Sequence, residues 1–333
     1  MLQVVGGTAL VPLRETIRRP CRMVSSSADG RHWLWLTALP FDDHWRSFAL
    51  AASSSGPESF ARKLERNECW GAAAGGGGCS TGWLLNGPEG AVSVVLDSRK
   101  PDERQGAKVA TLADRWLLPA ALAMAAEGPL AGYPLDGTVF RLDACRLDLG
   151  PANPTGFAQG TEADPDGLSA LCYRALQGSF LGASPAFSEP VYAAELVCSG
   201  DDIVVETYAV LSRRGGTLTA QRRHPHVPGL HFLEADVPIA RSLGLAADLH
   251  ATTNGEAIVY CRPTAAPRWR NVPGDLGTPG TFAVQHYLRP ARATKAGWSW
   301  PCASVGLEGL PPIAQFQDSW LQPEAQDDPE PER

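Results

Sequence analysis

Val191-Tyr-Ala-Ala-Glu-Leu-Val-Cys198 opens the stretch from Glu189 to Trp269, whose reading decides the fold. Its β-branched and aromatic content and imperfect alternation predict a strand. Ser199-Gly-Asp-Asp202 then offers a capping residue and early acids, and Ile203, Val204, Tyr208, Val210 and Leu211 follow at mostly helical spacing. Arg213, Arg214 and Gly215-Gly216 supply the cations and glycines that close such a helix. Two strands are predicted over 217–223 and 230–237, joined by a loop holding Pro225, Pro228 and Gly229. A second helix is predicted over 240–251, stopped by Asn254-Gly255, and a last strand over 257–261. The order β-α-β-β-α-β predicts the split βαβ, ferredoxin-like arrangement.

The same stretch carries a resemblance. Glu189-Pro-Val-Tyr192, Tyr208-Ala-Val-Leu-Ser-Arg-Arg-Gly-Gly216, Ser242-Leu-Gly-Leu-Ala-Ala-Asp-Leu249, Thr253-Asn-Gly-Glu-Ala257 and Trp269 with Val272-Pro-Gly-Asp275 resemble, in order, domain V of the elongation factor 2 family. Arg14-Glu-Thr16, Ala61-Arg-Lys63, Glu127-Gly128, Gly306-Leu-Glu-Gly309 and Phe316-Gln-Asp-Ser-Trp-Leu321 resemble further family fragments on either side.

The resemblance implies an α+β chain. Residues 1–16 would be a remnant of domain III and 17–187 a domain IV of the ribosomal protein S5 domain 2-like kind. Residues 188–269 would be the ferredoxin-like domain V, packed with domain IV, and 270–322 the return to domain IV. An acidic, disordered tail over 323–333 would complete it. The C-terminal fragments favour elongation factor 2 over its ribosome-maturation and spliceosomal relatives. The implied function is a ribosome-facing module of translocation, with the ribosome and ribosomal RNA as partners and a separate GTPase polypeptide as a further one. The alternative is a divergent interaction protein that does not translocate, including a fragment of one of those relatives.

Between the resembling fragments, strands are predicted over 32–41, 90–97 and 137–148 and helices over 109–127 and 168–181, the first interrupted by Pro119.

Composition agrees with a folded protein of two or three domains: 333 residues, 44% hydrophobic and 20% charged. The net charge of −7 excludes a general nucleic-acid coat, so any such contact must be local. Arg213 and Arg214 precede the strand at 217–223, and Arg222 and Arg223 end it, so these four are the candidate phosphate contacts. A solvated charged face explains them equally well.

Other chemistry is thinly supported. Gly71-Ala-Ala-Ala-Gly-Gly-Gly-Gly-Cys-Ser-Thr81 has Cys79 where a phosphate loop needs lysine, and no Asn-Lys-x-Asp motif exists. No enzymatic activity and no cofactor are expected; GTP belongs to a family domain that this sequence lacks. His224-Pro-His226 has no Cys or carboxylate cluster beside it, so no metal is expected. Cys198 precedes a helix, but Asp201 and Asp202 oppose a thiolate there.

Eight cysteines without short paired spacings suggest free thiols in a reducing compartment. The longest apolar run, 116–126, is too short to span a membrane. A cytoplasmic protein with no membrane partner is the expectation. The domain IV tip would run from Gly150 to Gly167, with Glu162, Asp164 and Asp166 but no histidine, lysine or arginine. That leaves no residue for the diphthamide modification the family carries.

Overall fold

The computed structural model describes residues 3–5, 8–10, 12–27, 30–42, 45–49, 51, 81–99, 112–147, 167–262, 268–272 and 321–323. Residues 71–80 of the glycine-rich run, 150–166 of the tip loop, the Ala61-Arg-Lys63 fragment and most of the C-terminal fragments lie outside them. The protein is a mixed α+β chain that divides into two compact units, one of 14–186 with 273–333 and one of 1–13 with 187–272.

The N-terminal hairpin pairs β1 (Gln3–Val5) with β2 (Thr8–Leu10). In the larger unit β3 (Arg14–Ile17) precedes β4 (Cys21–Ser26), β5 (His32–Pro40), β6 (Thr81–Asn86), β7 (Val92–Asp97) and β8 (Thr138–Leu147). The sheet order is β4-β5-β8-β7-β6, with only β7 and β8 parallel, and Leu321–Pro323 pairs antiparallel with β4.

A wide π-type segment, Ala113–Leu117, runs into α1 (Leu118–Ala126). Pro119 follows directly on the π-type turn, so the proline lies where the winding changes within one continuous helical run. In α2 (Leu168–Gly182) the predicted stripe of Leu168, Leu171, Cys172, Ala175 and Leu176 is buried. This helix packs on β4 and β5, while α1 packs on β6, β7 and α2.

Glu15 is the tie of this unit. Its fully buried carboxylate accepts the N–H groups of Leu130 and Ala131, both at 2.7 Å, and of Tyr133 at 3.0 Å. Arg14 pairs with Asp136 at 3.2 Å, and Asp136 accepts the N–H of Val92 at 2.9 Å. The Arg14-Glu-Thr16 fragment therefore holds the 130–136 turn within the larger unit.

In the smaller unit β9 (Pro185–Ser199) leads to α3 (Asp201–Arg213), β10 (Thr217–Arg223), β11 (Leu230–Pro238), α4 (Ile239–Ser242), α5 (Leu245–Thr252), β12 (Ala257–Arg262) and β13 (Arg268–Asn271). The strands lie in the order β10-β11-β9-β12, every neighbour antiparallel, with β13 also on β9. Ala194, Leu196, Cys198, Leu233, Ala235 and Val237 meet Val204, Val210 and Leu211 of α3 and Leu245 and Leu249 of α5 in one core. Burying each valine or leucine among them contributes roughly 1.5–3 kcal/mol.

Two expectations need correction here. The helix predicted over 240–251 is two pieces, because Gly244 at φ 78° breaks the run before α5. The strand predicted over 257–261 is not the last of this unit, because Arg268–Asn271 adds β13, where Arg270 lies opposite Glu189.

Candidate nucleic-acid interface

The four candidate arginines do not form one surface. β9 and β10 run parallel, so α3 carries the chain back and sets Arg213 and Arg214 at the opposite end of the sheet from Arg222 and Arg223.

Three of the four are held by carboxylates. Arg222 donates to Glu234 at 2.7 Å, and Arg223 donates to Asp201 at 3.2 Å. Arg214 is built in more deeply. It donates through Nε to Asp248 at 2.7 Å and through Nη1 to the carbonyl of Arg241 at 2.9 Å, and reaches the carbonyl of Leu243 as well. Its guanidinium thereby ties the end of α3 to the start of α5. Only Arg213, exposed in the last turn of α3, has no bonded partner among the described residues. Cations in that turn also suit the negative end of the helix dipole.

The Arg214 corner holds two further arginines that sequence reasoning did not single out. Arg270 donates Nη1 to the carbonyl of Gly215 at 2.5 Å, and its Nε lies 3.6 Å from the buried carboxylate of Glu189. A Cβ placed on Gly215 would sit 3.0 Å from Nη1 of Arg241 and 3.2 Å from Nη2 of Arg270. Gly215 has φ 65°, so a side chain there meets both a strained backbone and two guanidiniums. The only sequence signal for this cluster was the Gly215-Gly216 pair, because the contacts join positions 55 residues apart in one case.

One face of this sheet points away from α3 and α5. Phe232, Ile258 and Tyr260 are exposed on it, Tyr260 to 56%. A shallow hollow of about 430 Å³ is lined there by Glu195, Val197, Arg222, Phe232, Glu234 and Tyr260. Arg222–Glu234 and Arg262–Glu195 pairs border it, so its charges are internally matched.

Cys198 is fully buried, and burial raises its thiol pKa while a contact with Thr207 at 3.4 Å lowers it less. Burial, more than the acids at 201 and 202, keeps it inert. Nδ1 of His224 accepts the N–H groups of His226 and Val227 at 3.1 and 3.0 Å, which braces the turn. Among the described residues no group of three or more His, Cys, Asp or Glu could hold a metal ion, and no helix is long and apolar enough to cross a membrane.

No family model matches the chain. It is similar to the 109 kDa U5 small nuclear ribonucleoprotein component GFL and the 110 kDa component CLO of Arabidopsis thaliana, each 32% identical over 166 residues. Those matches cover 50% of this chain and 15% of each relative. It is also similar to the pre-mRNA-splicing factor cwf10 of Schizosaccharomyces pombe, 32% identical over 149 residues, which are 45% of this chain and 14% of that protein. The chain thus matches only about a seventh of these relatives' length.

These relatives overturn the expected translation-factor role and, with it, the ribosome and ribosomal RNA as partners. The reason is physical. The fragments that carried the resemblance, such as Arg214-Gly215-Gly216 and Gly244, are helix ends and turns. They specify a β-α-β-β-α-β scaffold, not what binds to it.

Proposed function

We propose that this chain acts in pre-mRNA splicing, as the counterpart of a segment of a U5 small nuclear ribonucleoprotein component. One observation carries the reading: 32% identity over 50% of the chain with a U5 small nuclear ribonucleoprotein component of a plant and over 45% of it with a pre-mRNA-splicing factor of a yeast. In this reading the fragments resembling elongation factor 2 reflect common ancestry with that superfamily. The 187–272 unit is then a ferredoxin-like counterpart of domain V, and the larger unit an S5 domain 2-like counterpart of domain IV. Antiparallel order in the one, and in the other a sheet with one parallel pair, β7–β8, and two helices packed on its strands, support those equivalences.

The chain serves as a binding and scaffolding module without catalysis or cofactor. Its sequence has no lysine-bearing phosphate loop, so calorimetry with GTP is expected to give no micromolar binding. A splicing role places it in the nucleus, in place of the cytoplasmic site expected from sequence.

The test is capture of the epitope-tagged chain from nuclear extract, followed by identification of the RNA that comes with it. Enrichment of spliceosomal small nuclear RNA is the expected result. Enrichment of ribosomal RNA alone, or of neither, overturns the reading.

A further inference from the structure

Strand alternation in the smaller unit sends Ala194, Leu196, Leu233, Ala235 and Val259 toward the core. Their neighbours Glu195, Val197, Phe232, Glu234, Ile258 and Tyr260 therefore lie on the other face. The registers set these neighbours in two rows. Phe232 lies opposite Val197, which lies opposite Ile258, and Glu234 lies opposite Glu195, which lies opposite Tyr260. Two carboxylates thus stand side by side, with Phe232 next to one along β11 and Tyr260 next to the other on β12. Phe232, Ile258 and Tyr260 are exposed, and the hollow of about 430 Å³ lies between them. Like charges directly opposite each other disfavour a sheet. Each glutamate here is offset by one arginine at 2.7 Å, Arg222 on Oε1 of Glu234 and Arg262 on Oε2 of Glu195. The second oxygen of each carboxylate accepts no hydrogen bond among the described residues. An ionised carboxylate accepts at both oxygens, so the pair keeps acceptor capacity unused.

We infer that this hollow docks an arginine side chain of a partner protein, presented on a segment with an apolar residue beside it. The partner's guanidinium lies against the rings of Phe232 and Tyr260 and donates to the unused oxygens of Glu195 and Glu234. The apolar residue next to it covers Val197 and Ile258. A guanidinium is planar and weakly hydrated, so it stacks on a ring while its edge bonds a carboxylate. A lysine ammonium has no flat face and holds its water more tightly, which makes it the poorer fit. A nucleic acid is poorer still, because the two carboxylates at the centre repel phosphate and both nearby arginines are already matched. Exposed aromatic and apolar side chains grouped on one face mark protein–protein contact. Arg222 and Arg262 are 71% and 67% exposed, and surface pairs of that kind hold weakly, so both can turn outward as the partner's arginine enters. The assignment uses only this unit's surface and does not rest on the splicing reading.

The test selects peptides from a random nonapeptide phage library on the immobilised full chain and measures the enriched ones, labelled, by fluorescence anisotropy. They are expected to carry an arginine beside an apolar residue, and replacing that arginine by glutamine should weaken binding about tenfold. Tyr260→Ala, and Glu195→Gln with Glu234→Gln, should each cost about as much. All three side chains are exposed, so these variants keep the fold. Val205→Ser, on the outer face of α3, is expected to stay within about twofold. No enrichment, enriched peptides without arginine, or binding indifferent to Tyr260→Ala or to the glutamine pair overturns the inference. Single-stranded RNA that binds with a dependence on Phe232 and Tyr260 overturns it in favour of base stacking. A dimer in sedimentation that Tyr260→Ala abolishes overturns it in favour of a second copy of this chain. The splicing reading is judged by the RNA captured from extract, so either can fall alone.

Discussion

The carboxylate of Glu15 accepts the backbone N–H of Leu130 at 2.7 Å, across 115 residues of chain, from a position with no exposure to solvent. Replacing it by alanine orphans the N–H groups of Leu130, Ala131 and Tyr133 together. Each buried, unsatisfied donor costs on the order of 1–3 kcal/mol. Glu15→Ala is therefore expected to lose about 3 kcal/mol or more in urea unfolding, and a loss below 1 kcal/mol would contradict the role given to this tie.

The same group predicts a pH dependence. Burial raises the Glu15 pKa from 4.5 to about 7, against the opposing pull of its backbone donors. A carboxyl whose pKa is higher folded than unfolded holds more protons in the folded state between those two values. Stability then falls as pH rises through that window. The contribution is full below about pH 4.5 and gone above about pH 7. Urea midpoints across pH 5 to 8 should show that fall, and Glu15→Gln should flatten it.

Arg214 and Arg222 separate a structural arginine from a decorative one. Arg214, at 21% side-chain exposure, serves one carboxylate and two carbonyls, whereas Arg222, at 71%, pairs with a half-exposed Glu234. Arg214→Ala is expected to cost about 1–3 kcal/mol and Arg222→Ala less than about 1 kcal/mol. Equal melting temperatures for the two variants would refute the distinction.

Thiol accessibility gives an independent check on the fold. Cys172 and Cys198 are buried, while Cys261 is exposed in β12 with its pKa raised by partial burial. An Ellman-type reagent should label Cys261 slowly near neutral pH and faster at alkaline pH. Cys172 and Cys198 should react only after denaturant is added. Prompt labelling of Cys198 in the native protein would mean that the α3–sheet core is misplaced.

The loop from Gly150 to Gly167 contains no histidine. A diphthamide-directed toxin given labelled NAD is expected to leave this chain unlabelled while modifying ordinary elongation factor 2. Transfer of label to the chain would reverse that conclusion.

Elements whose cause is local were legible in the sequence. The stripe at 168, 171, 172, 175 and 176 and the sequence of strands and helices from 191 to 262 could be read because periodicity and turn residues lie side by side. What escaped depended on pairing at a distance. β6 needs β7 beside it to be recognised as a strand, and the partners of Arg214, Arg222 and Arg270 emerge only once the registers of β9, β11 and β13 are fixed. Arg213 and Arg214 read as neighbours of Arg222 and Arg223 along the chain, yet α3 and β10 carry the two pairs to opposite ends of the sheet. Spacing along a sequence ranks candidate ligands; it does not tell which of them the fold has already committed to its own carboxylates.

The two units are interleaved along the polypeptide: residues 1–13 and 187–272 belong to one, and 14–186 with 273–333 to the other. During synthesis the sheet of the smaller unit cannot gain β12 until residue 257 has emerged, and β4, already paired with β5, waits almost the whole chain for its second partner at 321–323. Closure over such separations slows folding and leaves strand edges bare meanwhile. No single cut isolates either unit intact, so a protease nick between residues 186 and 187 should leave two fragments that each lack strands of their own unit, and expression of either fragment alone should depend on chaperones far more than expression of the whole.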